Sequence, residues 1–146
     1  MSLIKLNLGA GSIPQRDWVN VDIVDLPGID LVQDLNVERW PFEDNSVGEI
    51  LALDIIEHVN DPVHFITECW RILEPGGSLF IQTPRFDAEF LWIDPSHKRG
   101  FHEQSFDFFD PDKPFGQTTG FYSDAKFYVS CKILQNKNLQ FTMRKR

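Results

Sequence analysis

The sequence is short of positive charge. Its 14 Lys and Arg stand against 22 Asp and Glu, a formal net charge of −8. Nucleic-acid binders neutralise phosphates with Lys and Arg, so this balance argues against a nucleic-acid partner held by its backbone. It is a bias, since an acidic surface can accompany RNA or protein partners. The one basic run, "MRKR" at residues 143–146, reads as a solvated tail. Cysteine is equally scarce: Cys69 and Cys131 match no metal or redox spacing and are expected as buried, reduced thiols of a cytoplasmic protein. No apolar run approaches the roughly 18 residues of a membrane span. "MSLIKLNLG" leads straight into a strand, so no signal peptide is expected.

A third shortage is local. "LNLGAGSIPQRDWVNVD", residues 6–22, starts like a nucleotide-binding βαβ unit but lacks its helix. A dinucleotide site calls for a third glycine, a full helix and an acid about 20 residues on. Only "SIPQRD" separates Gly11 from Trp18, enough for about one helical turn.

What is present reads as one α/β domain over residues 1–146. Ile4 to Leu8 is a buried parallel strand, and Trp18 to Ile23 a second. "IDLVQDL" supplies a short third, and Val47 to Ile56 the next. Asn60 or Asp61 caps a helix with Pro62 in its first turn. Val63, Ile66, Trp70 and Leu73 form its expected inward stripe, and "EPGG" is expected to end it and launch "SLFIQTP". The whole predicts a Rossmann-like open twisted sheet, mostly parallel, with right-handed crossovers and shortened helices after strands 1 and 3. Residues 85–125 are rich in aromatics, Asp, Pro and Gly, with a short helix near Glu103 to Phe109; this irregular stretch is expected to be a lid or acceptor region. Two runs flanking "NKN" predict an antiparallel C-terminal hairpin.

In such sheets ligands sit beyond the carboxyl ends of the strands. Gly9 and Gly11 let the backbone turn tightly against a ligand, and Asp22 offers its carboxylate to both hydroxyls of a ribose. Dinucleotides and S-adenosylmethionine (SAM) both carry that ribose. Pyrophosphate relies on the N-terminus of the first helix, which this chain can hardly supply; a methionine tail does not.

Several segments then recur in a familiar order: "LNLGAG", "WVNVDI", Asp34–Leu35, "WPFEDNSVGEI", "LDIIEHVND", "ECWRILEPGGSLFIQTP" and "DPSHKRGFHEQSF". From about Ile4 to Phe109 the sequence resembles the class I SAM-dependent methyltransferases, of the small methyltransferase type 11 kind. The resemblance implies a seven-stranded sheet whose last strand is antiparallel. It implies Gly9, Ala10 and Gly11 beneath the methionine part of SAM, Asp22 on the ribose, and Asp34 and Leu35 at the adenine. Leu53 and Asp54 would lie near the sulfonium and amino group.

Methyl transfer to a hydroxyl also needs a group that takes a proton. His97, in the irregular segment, and Glu57 and His58, just past the fourth strand, are the candidates. Each has a plainer reading: Glu57 orienting backbone, His58 packing under the helix, His97 bonding its own loop. His102 is a weaker candidate, and His64 belongs to the helix surface. No two histidines have the i, i+4 zinc spacing with a partner, so no metal is expected. Trp92 and its aromatic neighbours either line an acceptor pocket or pack a core.

The leading expectation is a SAM-dependent methyltransferase acting on a small-molecule or saccharide-type acceptor. The alternative is a SAM-binding or interaction protein with little or no catalytic activity, completed by a partner. An NAD-type oxidoreductase falls on the missing helix after Gly11.

Overall fold

The computed structural model describes residues 2–146. Seven strands form one sheet: β1 (Ile4–Leu8), β2 (Val19–Asp22), β3 (Leu31–Val32), β4 (Val47–Leu53), β5 (Leu73–Pro84), β6 (Phe127–Ile133) and β7 (Asn138–Lys145). Their order is β3-β2-β1-β4-β5-β7-β6. The first five are parallel, while β7 runs antiparallel to both β5 and β6. This is the open Rossmann-like sheet with its C-terminal hairpin at the edge, and strand order reverses beside β1.

Helix α1 (Pro62–Ile72) makes the β4–β5 crossover. Asp61 caps it by accepting the His64 N–H, and Pro62 takes the first turn, where its missing N–H costs nothing. Its buried face is Phe65, Ile66, Cys69 and Ile72, a quarter-turn from the expected stripe. Val63 is exposed, Trp70 is half-buried, and Leu73 already belongs to β5. "EPGG" is likewise part of β5: Leu73 pairs with Val47, and the register then shifts so that Glu49 meets Ser78. Gly76 takes φ +83 in that irregularity. The helix therefore passes directly into the strand. The strand expected to run to Ile56 stops at Leu53, because Asp54 turns into the left-handed region at φ 55.

The shortened helices expected after strands 1 and 3 are reduced to turns, and side chains do their work. Between β1 and β2 the chain folds onto Asn7 and Asn20, both buried although polar. Asn20 accepts the Gln15 N–H at 2.7 Å and donates to the carbonyls of Gln15 and Trp18. Asn7 donates to Asn20 Oδ1 and to the Ile13 carbonyl. Buried backbone polar groups need partners, and two asparagines supply what a helix would have. After β3, Trp40 plugs the core edge-on against Phe65; its backbone N–H donates to Glu68 of α1 and its indole N–H to the Leu35 carbonyl.

The main core lies on one sheet face, where Leu6, Leu8, Ile50, Ala52, Leu79 and Ile81 meet α1. Residues 85–125 extend that layer. They hold 3₁₀ turns at Glu89–Trp92, Ser105–Phe109 and Gly120–Tyr122, and a short helix α2 (Pro114–Thr119). Phe106 and Phe109 pack on Phe141 and Phe127, whereas Trp92 is two-thirds exposed. Cys69 is a buried free thiol and Cys131 a half-buried one. The basic run is no solvated tail. Arg144 and Lys145 close β7, buried Lys145 donates to the Leu73 carbonyl, and Arg146 pairs with Asp110 and Asp112. Among the described residues no helix is long and apolar enough to cross a membrane.

Candidate active site

The parallel strands end on one side of the sheet, and there a cleft of about 340 Å³ opens. Gly9, just past β1, forms part of its wall with φ +67. A Cβ at this position would lie 2.6 Å from Ile55 Cδ1, so both conformation and contact require glycine. Gly11, also left-handed, sends its N–H to Asp22 Oδ2 at 2.8 Å. The Val24 N–H reaches Asp22 Oδ1 at 3.1 Å. Each oxygen has one backbone donor and keeps a further lone pair, and Asp22 lines the cleft.

The remaining cofactor candidates divide. Asp34 and Leu35 line the cleft beside Gln33 and Asn36. The Asn36 N–H fixes Asp34 Oδ1 at 2.9 Å, and Leu35 is held through its carbonyl by Trp40. Asp54 lines the opposite wall. Its backbone N–H donates to the Gln82 carbonyl, and Gln82 Nε2 donates to its carboxylate at 3.3 Å. Desolvation raises the Asp54 pKa above the ordinary aspartate value. Ala10, Gly11 and Leu53 lie outside the lining: Ala10 is buried and donates to the Val21 carbonyl, and Leu53 is half-buried in β4. Ile23, Ile55 and Val59 add apolar wall that the motifs alone did not single out.

Beside this cleft the fold gathers the three proton-handling candidates. One donor atom each from Glu57, His58 and His97 lies within 4.8 Å of the other two. Glu57 is fully buried, and its Oε2 accepts the Thr83 hydroxyl at 2.5 Å. Burial pushes its pKa up to about 7, partly offset by that hydrogen bond. Glu57 Oε1 is buried without a hydrogen-bond partner. His58, which also lines the cleft, stands edge-on to His97 with ring centroids 4.6 Å apart. Burial, then the neighbouring His97, lowers the His58 pKa. His97 Nδ1 lies 2.6 Å from the Leu91 carbonyl, so His97 does bond its own loop while its second nitrogen faces the cluster.

The segment that carries His97 is fastened to the turn after β4. The Lys98 N–H donates to the Glu57 carbonyl, and Arg99 reaches the carbonyls of Ile56, Val59 and Asn60. His64 and His102 are elsewhere: His64 bonds the Val37 carbonyl at the surface, and His102 stacks on Phe86. Asp94 and Ser96, which precede His97 and contact His97 and His58 respectively, lie inside the "DPSHKRGFHEQSF" segment but carry no signal of their own.

Residues 15–81 match the family model described as a methyltransferase domain. A probable S-adenosylmethionine-dependent methyltransferase of Mycolicibacterium smegmatis is 39% identical over 49 residues, 34% of this chain and 19% of that protein. A ubiquinone biosynthesis O-methyltransferase of Xanthomonas oryzae is 38% identical over 52 residues, 36% and 20% respectively. The chain thus spans about a fifth of the length of these curated relatives. Among solved structures, a SAM-dependent methyltransferase of Thermotoga maritima, described as a possible histamine N-methyltransferase, superposes with TM-score 0.69 at 14% identity. That match covers 100% of this chain and 84% of the other. A putative methyltransferase of Haloferax volcanii, in complex with the Trm112 activator, gives 0.67 at 12% identity, covering 97% and 82%. Such distant likenesses show the fold. From β2 into β5 the chain is thus similar in sequence to SAM-dependent methyltransferases, and its fold throughout is the Rossmann-like one of the class I enzymes.

Proposed function

We propose that the chain binds SAM in the β1–β4 cleft and transfers its methyl group to the hydroxyl of a small-molecule or saccharide-type acceptor. The observation that carries this reading is the convergence of Gly9, Asp22, Asp34, Leu35 and Asp54 on one cleft from the ends of four strands. The donor set suits the ligand. Three carboxylates, Asp22, Asp34 and Asp54, favour a ligand with a cationic sulfur and amine, and no helix lies between β1 and β2 to receive a pyrophosphate. The cleft volume is within the usual range for small-molecule sites.

SAM supplies a methyl group on positively charged sulfur; the protein's residues supply position and proton handling. Asp22 accepts hydrogen bonds from the ribose hydroxyls, while backbone donors hold it in place. Leu35 packs on the adenine and Asp34 accepts from its exocyclic amine. Asp54 faces the methionine amine. The Glu57–His58–His97 cluster borders the cleft where the acceptor enters, and it is the group we assign to the hydroxyl proton. The short region 85–125 frames the acceptor side. An acceptor that is small and not polyanionic fits the acidic chain.

Calorimetry with SAM, its demethylated product and NAD tests the cofactor. SAM and its product are expected to bind and NAD not to. Binding of NAD alone overturns the reading. Incubation with labelled SAM and fractionated extract then identifies the acceptor, and absence of any labelled product alongside tight SAM binding would make the chain a binder only.

A further inference from the structure

The Glu57–His58–His97 cluster is unusual in its protons. The Leu91 carbonyl can only accept, so at 2.6 Å His97 Nδ1 must carry the hydrogen. The Ser96 hydroxyl donates to Asp94 Oδ1 at 2.6 Å; its oxygen therefore accepts from His58 Nδ1, 3.1 Å away. Both neutral imidazoles are fixed as Nδ1–H tautomers, and each leaves an Nε2 lone pair. His58 Nε2 lies 3.9 Å from Glu57 Oε1, the oxygen that has no partner. His97 Nε2 lies 3.4 Å from Asp94 Oδ2. The centre thus collects acceptors: two imidazole lone pairs, one fully buried carboxylate oxygen, and a second carboxylate at the rim. Buried acceptors facing one another without a donor cost free energy unless something positive lies between them. A proton on His97 Nε2 would serve Asp94 and leave Glu57 Oε1 bare.

We propose that Glu57 Oε1, His58 Nε2 and His97 Nε2 hold a divalent transition-metal ion, with Asp94 at its open side. Two imidazoles and a carboxylate are a donor set such ions accept, and the set leaves positions open. Each ligand has an outer partner that aims it: Thr83 on Glu57 Oε2, Ser96 on His58 Nδ1, and the Leu91 carbonyl on His97 Nδ1. Metal-bound histidines and carboxylates are oriented by this kind of second hydrogen bond. Bonds of about 2.0–2.2 Å place donors roughly 3–3.5 Å apart, so atoms now within 4.8 Å of one another need close by about 1.5 Å at most. Spacing along the sequence hides the site, because His97 comes from a segment 39 residues beyond His58 (97 − 58).

The consequence rests on the methyl-transfer reading. A hydroxyl oxygen taking an open position on the cation becomes more acidic and gives its proton to solvent past Asp94, so the cluster handles that proton through the cation and not by accepting it on a ligand atom. The same oxygen's lone pair then forms the O–C bond as the S–C bond breaks and its electrons return to sulfur, leaving a neutral thioether.

The test uses the chelator-treated chain, Co²⁺ by its visible absorption and Zn²⁺ by calorimetry, with SAM titrated into the same preparation. One ion per chain is expected, its affinity falling at least tenfold in His58→Ala and in His97→Ala. Circular dichroism shows that both variants are folded, and His97→Ala, whose side chain is outside the cleft lining, should also retain SAM binding. Saturable metal binding that survives in the His58→Ala/His97→Ala double variant overturns the site, as does absence of binding by the folded wild type. A chain that binds SAM but neither ion removes the cation site and leaves methyl transfer standing. One that binds the ion but not SAM does the reverse.

Discussion

The two halves of the cleft are built by different means. On the side we assign to the cofactor, main chain holds the carboxylates: Asp22 by the N–H groups of Gly11 and Val24, Asp34 by that of Asn36. Two of these contacts span only i to i+2, the local turns that aspartate makes with its own backbone. On the reactive side, the alignment depends on a separate segment. Glu57 leans on Thr83, His58 on Ser96, and His97 on its own loop, which Arg99 fastens to the β4 turn. The first half is fixed once the strands pair. The second exists only while residues 94–99 are docked, so the two should fail independently.

The largest effect is expected from breaking the first half alone. Asp22→Ala removes both acceptors for the ribose hydroxyls. Losing two charge-assisted hydrogen bonds weakens SAM binding on the order of 100-fold by calorimetry. Co²⁺ affinity, which depends on the other half, should be unchanged. Loss of both together would mean the halves share more than the sheet.

Arg99→Ala is the converse. It frees the carbonyls of Ile56, Val59 and Asn60 and releases the segment bearing His97 without touching the SAM contacts. Small displacements of a reactive group are costly. Turnover should fall roughly tenfold or more, and SAM affinity should stay within about threefold. An equal fall in both would tie the Arg99 clamp to the cofactor half.

How much of this could be read in advance follows the same division. Gly9 and Asp22 sit where hydrophobic runs stop, and such ends are visible in sequence, whereas Asp34 and Asp54 lie inside runs that look continuous and stand out only through the family resemblance. The mostly parallel sheet and the terminal hairpin were equally legible. The meeting of His97 with Glu57 and His58 was not, because it depends on how an aperiodic segment folds back. The stripe on α1 differs for another reason: Phe65 and Cys69 compete with Val63 and Trp70 at helical spacing, and long-range packing on the sheet core and, for Phe65, on Trp40 decides which face is covered. Likewise "MRKR" gave no sign of ending in a strand, since its burial depends on the Leu73 carbonyl and on Asp110.

A smaller effect sharpens the comparison through pH. In the folded chain Glu57 titrates near 7, above its ordinary value of 4.5, because burial disfavours the charge. Ionising it therefore opposes folding. The penalty is absent below about pH 4.5, grows as pH rises to about 7 and is constant above. At 1.36 kcal/mol per unit it reaches at most about 3 kcal/mol. Glu57→Gln keeps an acceptor for Thr83 and has no charge to bury. In chelator-treated protein it should raise Tm by several degrees at pH 8 and scarcely at all at pH 4. Excess Zn²⁺ should reverse the gain at pH 8, since the wild type alone then has a cation to neutralise the carboxylate.

The smallest effect is expected at His64, which marks where the reactive half ends. It lies six positions beyond His58, yet its ring meets only the Val37 carbonyl at the surface, 2.9 Å away. Its contribution to the α1 cap comes from the backbone N–H that Asp61 accepts, which a substitution keeps. His64→Ala thus removes one exposed side-chain hydrogen bond, worth about 0.5 kcal/mol. SAM affinity, Co²⁺ affinity and turnover should all match the wild type. A fall in Co²⁺ binding here would show that the metal is held by exposed histidine in general and not by the docked 94–99 segment.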